Sequence, residues 1–205
     1  MARIYLNDNW SFYEDAANPK EAVEVRIPHT TKEVPYNYFD ENEYQMLCLY
    51  RKNIYGDQTW QGKTVLITFD GIAHSAEVSL NGKKLADHHC GYTAFTVDLT
   101  DGIKLGEDNL LEVRVDSREN QNVPPFGFVI DYMTFGGIYR DVYLEVKNKE
   151  HIADAFLVSK DVDVLSDKAV LESQISLSVD DFTDGKYELS QKLDGEEIVH
   201  AAVSN

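Results

Sequence analysis

Only two cysteines, Cys48 and Cys90, occur in 205 residues, too few for a framework of disulfides. They read as isolated buried thiols, since free cysteine behaves as a small hydrophobe, and they fit a reducing, cytoplasmic setting. Positive charge is also scarce: 19 lysines and arginines stand against 36 carboxylates, a formal net charge of −17. A chain so acidic lacks the cationic face that a phosphate backbone needs, so no nucleic-acid partner is expected. Long apolar runs are missing at the N-terminus and elsewhere, so neither a secretory leader nor a membrane span is expected. The six histidines show no metal-ligand spacing. His88 and His89 are neighbours on an extended segment and so face opposite ways. No metal or cofactor site is read from these residues.

Helical periodicity is nearly absent as well. What the sequence has instead is a series of short β-type runs between turn signals, the pattern of an all-β sandwich. A hydrophobic content of 43% is enough for a packed core. Strands are expected at Trp10 to Tyr13, Val23 to Ile27, Leu47 to Tyr55, Val65 to Phe69, Ala76 to Leu80, Lys84 to Asp87, Ala94 to Asp98, Asn109 to Asp116 and Ile138 to Val146. Val113 and Val115 alternate with Glu112, Arg114 and Asp116, so one face of that strand is apolar and the other wet. Asn81-Gly82 is the strongest hairpin signal, because both residues tolerate positive φ in a type I′ turn. This set suits a jelly roll, two sheets packed face to face.

The polar connector Lys147 to His151 suggests a boundary, giving a jelly-roll domain over 1–148 and a second unit over 149–205. Four strands are expected in the second unit, at Ala155 to Val158, Val170 to Val179, Tyr187 to Leu193 and Ile198 to Val203, with Asp194-Gly195 as another hairpin turn. That is about half of an immunoglobulin-like sandwich, which typically needs about 100 residues. The second unit is therefore read as a truncated immunoglobulin-like domain.

The most informative stretch runs from Asp131 to Val142. In it Gly136-Gly137 precede Ile138, Tyr139, Arg140, Asp141 and Val142. Paired glycines supply backbone freedom or close approach that other residues deny. Four other segments accompany it: Ile27-Pro28-His29-Thr30; Leu49-Tyr50-Arg51-Lys52; Phe69-Asp70-Gly71-Ile72 with Ala76-Glu77-Val78 and Asn81-Gly82; and His88 to Phe95. In this order they resemble the first domain of glycoside hydrolase family 2 enzymes, most of all the β-galactosidases. One position departs: Cys90 stands where the family has a glycine, and positive φ there would be uncomfortable for cysteine.

The resemblance implies a retaining β-glycosidase. Such enzymes use a nucleophilic and an acid/base glutamate about 5–5.5 Å apart. In the family both lie in a (β/α)₈ barrel that follows the two β domains. A barrel takes about 250 residues of alternating strand and helix, a pattern not found here, so no catalytic residue is assigned to this chain. The fragment alone is expected to be inactive. The resemblance further implies that Asp131 reaches the barrel mouth and binds hydroxyls of the terminal sugar, sometimes with a metal ion nearby. A carboxylate can accept hydrogen bonds from two neighbouring hydroxyls. Asn37, thirteen residues before Tyr50, has the spacing of the sugar-contacting asparagine of β-galactosidases. Asparagine offers both donor and acceptor. The implied partner is a β-galactoside or related sugar, and family members are commonly homo-oligomers.

Plainer readings stand beside these. Asp131 and Asn37 are both suited to ordinary turns through bonds to their own backbone. Tyr36, Tyr38, Phe39, Tyr44, Phe126 and Phe128 could stack on sugar rings or instead staple loops to the sandwich edge. Arg140 and Asp141 read as an ion pair or clamp where a strand begins. A stand-alone carbohydrate-binding module is the alternative function, and an adhesion or scaffold protein of sandwich domains a third.

Overall fold

The computed structural model describes residues 3–37, 40–123, 135–166, 168–179 and 186–202. Among the described residues twelve strands precede residue 149: β1 (Ile4–Tyr5), β2 (Trp10–Tyr13), β3 (Val23–Val25), β4 (Leu47–Tyr55), β5 (Lys63–Phe69), β6 (Ile72–Ala73), β7 (Ser75–Leu80), β8 (Lys83–His89), β9 (Phe95–Asp98), β10 (Asp108–Asp116), β11 (Gly137–Ile138) and β12 (Val142–Asn148). They form a four-stranded sheet ordered β1-β12-β5-β9, a six-stranded sheet ordered β3-β2-β4-β10-β7-β8, and the small β11-β6 pair. The strand ladders are antiparallel.

Alternation decides which faces meet. In β10, Leu111, Val113 and Val115 are fully buried while Glu112 and Arg114 lie on the other face. In β4, Cys48, Tyr50 and Ile54 point into the same core. From the smaller sheet Val65, Ile67, Phe69, Val97, Val142 and Leu144 complete it, with Trp10 and Phe12 closing one side. A fully buried Val, Leu, Ile or Phe contributes about 1.5–3 kcal/mol, so this cluster is what holds the two sheets together. The all-β sandwich expected from the sequence is the fold of this unit.

The hairpin chemistry works as the sequence suggests. Leu80 pairs with Lys83 across Asn81-Gly82, whose φ values are 52° and 79°. Leu193 pairs with Glu196 across Asp194-Gly195, at 49° and 88°. Two positive φ values in succession are what a type I′ turn requires. Asn81 adds more: its Nδ2 donates to Asn109 Oδ1 at 2.8 Å, and its Oδ1 accepts from Leu110 N at 3.0 Å. Among the described residues Cys90 is not one of the positive-φ positions, so the backbone tolerates the departure from the family glycine. Cys90 is half-buried rather than buried, unlike Cys48.

One expected strand is broken. Ile138 to Val146 is not continuous, because Tyr139, Arg140 and Asp141 leave the ladder between β11 and β12. Two short strands, β1 and β6, escape sequence detection, since two residues are too few to show a period.

Chain contacts divide the molecule into two compact units, Met1–Lys147 and Asn148–Asn205. The second holds two hairpins, β13 (His151–Asp163) with β14 (Lys168–Ser178) and β15 (Glu188–Leu193) with β16 (Glu196–Ala202). Among the described residues every buried apolar side chain belongs to the first unit. In the second, Ile152, Phe156, Leu157 and Leu171 are exposed.

Candidate sugar-site edge

Three segments far apart along the chain, at Trp10 to Phe12, His29 and Gly137, converge on one buried tyrosine. Tyr50 comes from the middle of β4 and is fully buried. Its hydroxyl lies 2.8 Å from His29 Nδ1. The His29 ring also packs against Phe12, with centroids 4.8 Å apart. Burial holds the His29 imidazole below its ordinary pKa of 6.5, against a smaller opposing pull from Glu33. Burial likewise pushes the Tyr50 phenol well up. Both groups are therefore neutral near pH 7, and a single proton serves the contact between the buried phenol and the half-buried imidazole.

The paired glycines dock onto this tyrosine. The His29 N–H donates to Ile138 O at 2.8 Å and the Thr31 N–H to Gly136 O at 3.0 Å, so residues 29–31 run alongside 136–138. Gly137 has φ +107°, and a Cβ there would stand 2.7 Å from the Tyr50 hydroxyl and 2.8 Å from His29 O. Gly136 faces the other way: its Cβ would lie 2.3 Å from Ser117 Cβ and 2.9 Å from Thr31 Oγ1. One glycine is needed for close approach alone, the other for approach and conformation together.

Ser117, buried at the end of β10, fastens the neighbouring loop. Its hydroxyl donates to Tyr44 O at 2.7 Å and accepts from the Met46 N–H at 3.0 Å. Thr31 Oγ1 donates to the same Tyr44 carbonyl at 3.2 Å. Just upstream, a short 3-10 turn over Glu41–Tyr44 is capped by Asp40, whose carboxylate accepts from Asn42 N at 2.9 Å. That bond holds the Asp40 carboxyl below its usual pKa. Tyr44 is only 3% exposed, so it belongs to the core and not to any stacking platform. Tyr36, by contrast, is 96% exposed.

Of the two expected sugar contacts, Asn37 is exposed and makes no hydrogen bond to another described residue. It sits on the 31–37 segment that Thr31 ties to Gly136. Asp131 lies outside the described residues, as do Tyr38, Phe39, Phe126 and Phe128. The described chain breaks off at Val123 and resumes at Phe135, immediately before the docked glycines.

Asp141 is not the ion-pair partner of Arg140. Its Oδ1 accepts from Asn7 Nδ2 at 2.9 Å, while Asn7 Oδ1 accepts from Val142 N at 3.0 Å. The Asn7 backbone carbonyl accepts from Ile27 N at 2.7 Å. Asn7 thus straps the N-terminal segment across the start of β12. Sequence reasoning missed it, because its partner lies 134 residues away and no local pattern marks the contact. Among the described residues no three His, Cys, Asp or Glu side chains gather closely enough to hold a metal ion, and none of the described helices is long and apolar enough to cross a membrane.

With this geometry in hand, similarity to known proteins is specific. Residues 25–148 match the family model described as the sugar binding domain of glycosyl hydrolases family 2. A β-galactosidase from Thermoanaerobacter pseudethanolicus is 39% identical over 201 residues, 97% of this chain and 26% of the relative. A β-glucuronidase from Bacteroides fragilis is 33% identical over 150 residues, 73% of this chain and 21% of the relative. Among solved structures, a calcium-binding mutant of β-glucuronidase 2 from Bacteroides uniformis superposes with a TM-score of 0.80 at 25% identity, covering 98% of this chain and 26% of that one. The chain spans about a quarter or less of the length of the curated relatives it matches.

Proposed function

Because the chain belongs to glycosyl hydrolase family 2, we propose that it is the non-catalytic N-terminal part of a longer retaining β-glycosidase of the β-galactosidase type. Its role is to shape one edge of the sugar site and to support a catalytic barrel encoded downstream. The observation that carries this reading is the convergence on Tyr50. The segment bearing Asn37 and the glycines that follow Asp131 in sequence are fastened to one another by the Thr31–Gly136 and His29–Ile138 hydrogen bonds. Two polar side chains on segments anchored this way can present hydroxyl-binding groups with little loss of freedom on binding, which is what pre-organisation contributes.

In this account Asp131 accepts hydrogen bonds from neighbouring hydroxyls of the terminal sugar, and Asn37 both donates and accepts. The nucleophile and the acid/base group are two glutamates of the barrel. Residues 149–205 are the start of an immunoglobulin-like second domain. The protein works in the cytoplasm, on β-galactosides or closely related sugars.

The test is kinetic. In the full-length product, Asp131→Ala and Asn37→Ala should each lower kcat/KM by about tenfold to a hundredfold, the loss of a hydrogen bond involving a charged or oriented group. Unchanged kinetics in both variants would remove the proposed contacts.

A second reading, a carbohydrate-binding module acting alone, is favoured by one feature. The outer face of the six-stranded sheet carries a polar groove of about 440 Å³ lined by Asn9, Ser11, Tyr13, Arg51, Lys52, Asn53 and Leu110. Titrating the 205-residue chain with lactose separates the two. Binding tighter than about millimolar, about −4 kcal/mol, supports the module.

A further inference from the structure

Asparagine followed by glycine occurs once in the sequence, at Asn81-Gly82, and both residues lie exposed at the tip of the β7–β8 hairpin. Asparagine is among the chemically labile side chains. It is least protected where glycine follows, because no side chain then screens the backbone nitrogen that can attack it. Around Gly82 the space is open, for a Cβ added there would meet nothing within 4 Å. Sequence and exposure both favour loss of the Asn81 amide.

Yet the Asn81 side chain is held at both of its polar atoms. Its Nδ2 donates to Asn109 Oδ1 at 2.8 Å and to Gly102 O at 3.1 Å, and its Oδ1 accepts from Leu110 N at 3.0 Å. The main chain is tied at the same place, with Asn81 N donating to Leu110 O at 2.8 Å. Asn109 is fully buried. Its Nδ2 donates to Lys104 O at 2.9 Å and to Glu107 O at 3.1 Å, and its Oδ1 also accepts from Lys104 N at 2.8 Å. The amide of an exposed turn residue therefore belongs to a network rooted in β10, and a satisfied network of this kind is rigid.

We propose that Asn81-Gly82 is a latent site of spontaneous deamidation, kept closed by the hydrogen bonds to Asn109, Gly102 and Leu110. In the reaction the Gly82 nitrogen loses its proton to base and attacks Asn81 Cγ. The new C–N bond closes a cyclic succinimide as the Cγ–Nδ2 bond breaks and ammonia leaves. Solvent water then opens the ring at either carbonyl, leaving aspartate or isoaspartate. Attack requires the Asn81 amide to swing off its partners towards the backbone, which the folded hairpin prevents.

The same contacts couple the product to the core. An ionised carboxylate only accepts hydrogen bonds, so it would face Asn109 Oδ1 and Gly102 O with no donor between them. Isoaspartate also lengthens the main chain in a turn whose φ values of 52° and 79° set the pairing of Leu80 with Lys83.

The experiment incubates the 205-residue chain and a peptide of residues 77–86 in the same neutral buffer and follows isoaspartate at Asn81 by mass spectrometry. Deamidation in the folded chain should be at least about tenfold slower than in the peptide, as expected of a reaction that waits on local opening. Asn109→Ala should speed it in the folded chain by about twofold to tenfold, the loss of one hydrogen bond. Equal rates in the wild-type chain and the peptide would overturn the proposal. So would an Asn109→Ala chain that unfolds cooperatively yet deamidates no faster than wild type. The first comparison uses no variant, so it decides even where Asn109→Ala fails to fold. Chain carrying isoaspartate at Asn81 should unfold at lower urea than the unmodified chain, and equal midpoints would refute the coupling to the core.

Discussion

Gly137 and Tyr50 are locked together: a single added Cβ on the glycine would stand 2.7 Å from the tyrosine hydroxyl. The contact joins residues 136–138 to the most buried part of β4. Its backbone φ of +107° adds a second constraint on the same position.

Gly137→Ala should therefore destabilise the first unit by about 2–4 kcal/mol, combining overpacking with an unfavourable backbone region. Gly62→Ala is the control. Gly62 also has positive φ, +71°, but open space around it, so it should cost only about 1–2 kcal/mol. Urea unfolding of both variants checks the difference. Equal losses would mean that the contact with Tyr50 contributes nothing.

Tyr50→Phe removes one hydroxyl and leaves His29 Nδ1 without its 2.8 Å partner. An expected loss of about 0.5–1.5 kcal/mol follows from one hydrogen bond to a half-buried group. The double variant Tyr50→Phe with His29→Phe should recover part of it, because removing both partners is less costly than removing one.

The Asn7–Asp141 strap is testable by a double-mutant cycle. Asn7→Ala and Asp141→Ala should couple by at least about 0.5 kcal/mol, as residues sharing a hydrogen bond do. Additive losses would show that the strap is incidental.

Acid should weaken the first unit. His29 and His74 are both held below the ordinary 6.5 by burial, His74 despite raising influences from the Arg118 backbone, Asp116 and Glu119. Between the folded and unfolded pKa values the unfolded chain binds more protons, so stability rises with pH. It should accordingly be full above about pH 6.5 and fall as pH drops below it. His74 Nε2 is buried without a hydrogen-bond partner, so His74→Phe should flatten the profile at little structural cost. Urea midpoints at pH 7.5, 6.5 and 5.5 provide the check.

Strand alternation made much of this fold legible. Val113 and Val115 against Glu112 and Arg114 reveal β10, and Asn81-Gly82 reveals the β7–β8 hairpin, because both signals are local. The break at Tyr139 to Asp141 was not legible, since β-type residues continue through it. At the break the chain is met by Asn7, which bonds Asp141 and Val142 from 134 and 135 residues away. Tyr44 looked like a loop aromatic because its burial depends on Ser117 and Thr31 arriving from elsewhere. Paired glycines flagged a point of close approach, but only their contacts with Tyr50, Thr31 and Ser117 explain why there are two.

Division of labour between this chain and a downstream barrel is the central claim, and side-by-side hydrolysis of an aryl β-galactoside tests it most directly. The 205-residue chain should show no turnover, whereas the full-length product should cleave the substrate with retention of anomeric configuration. Turnover by the 205-residue chain alone, or none by the full-length protein, would contradict it.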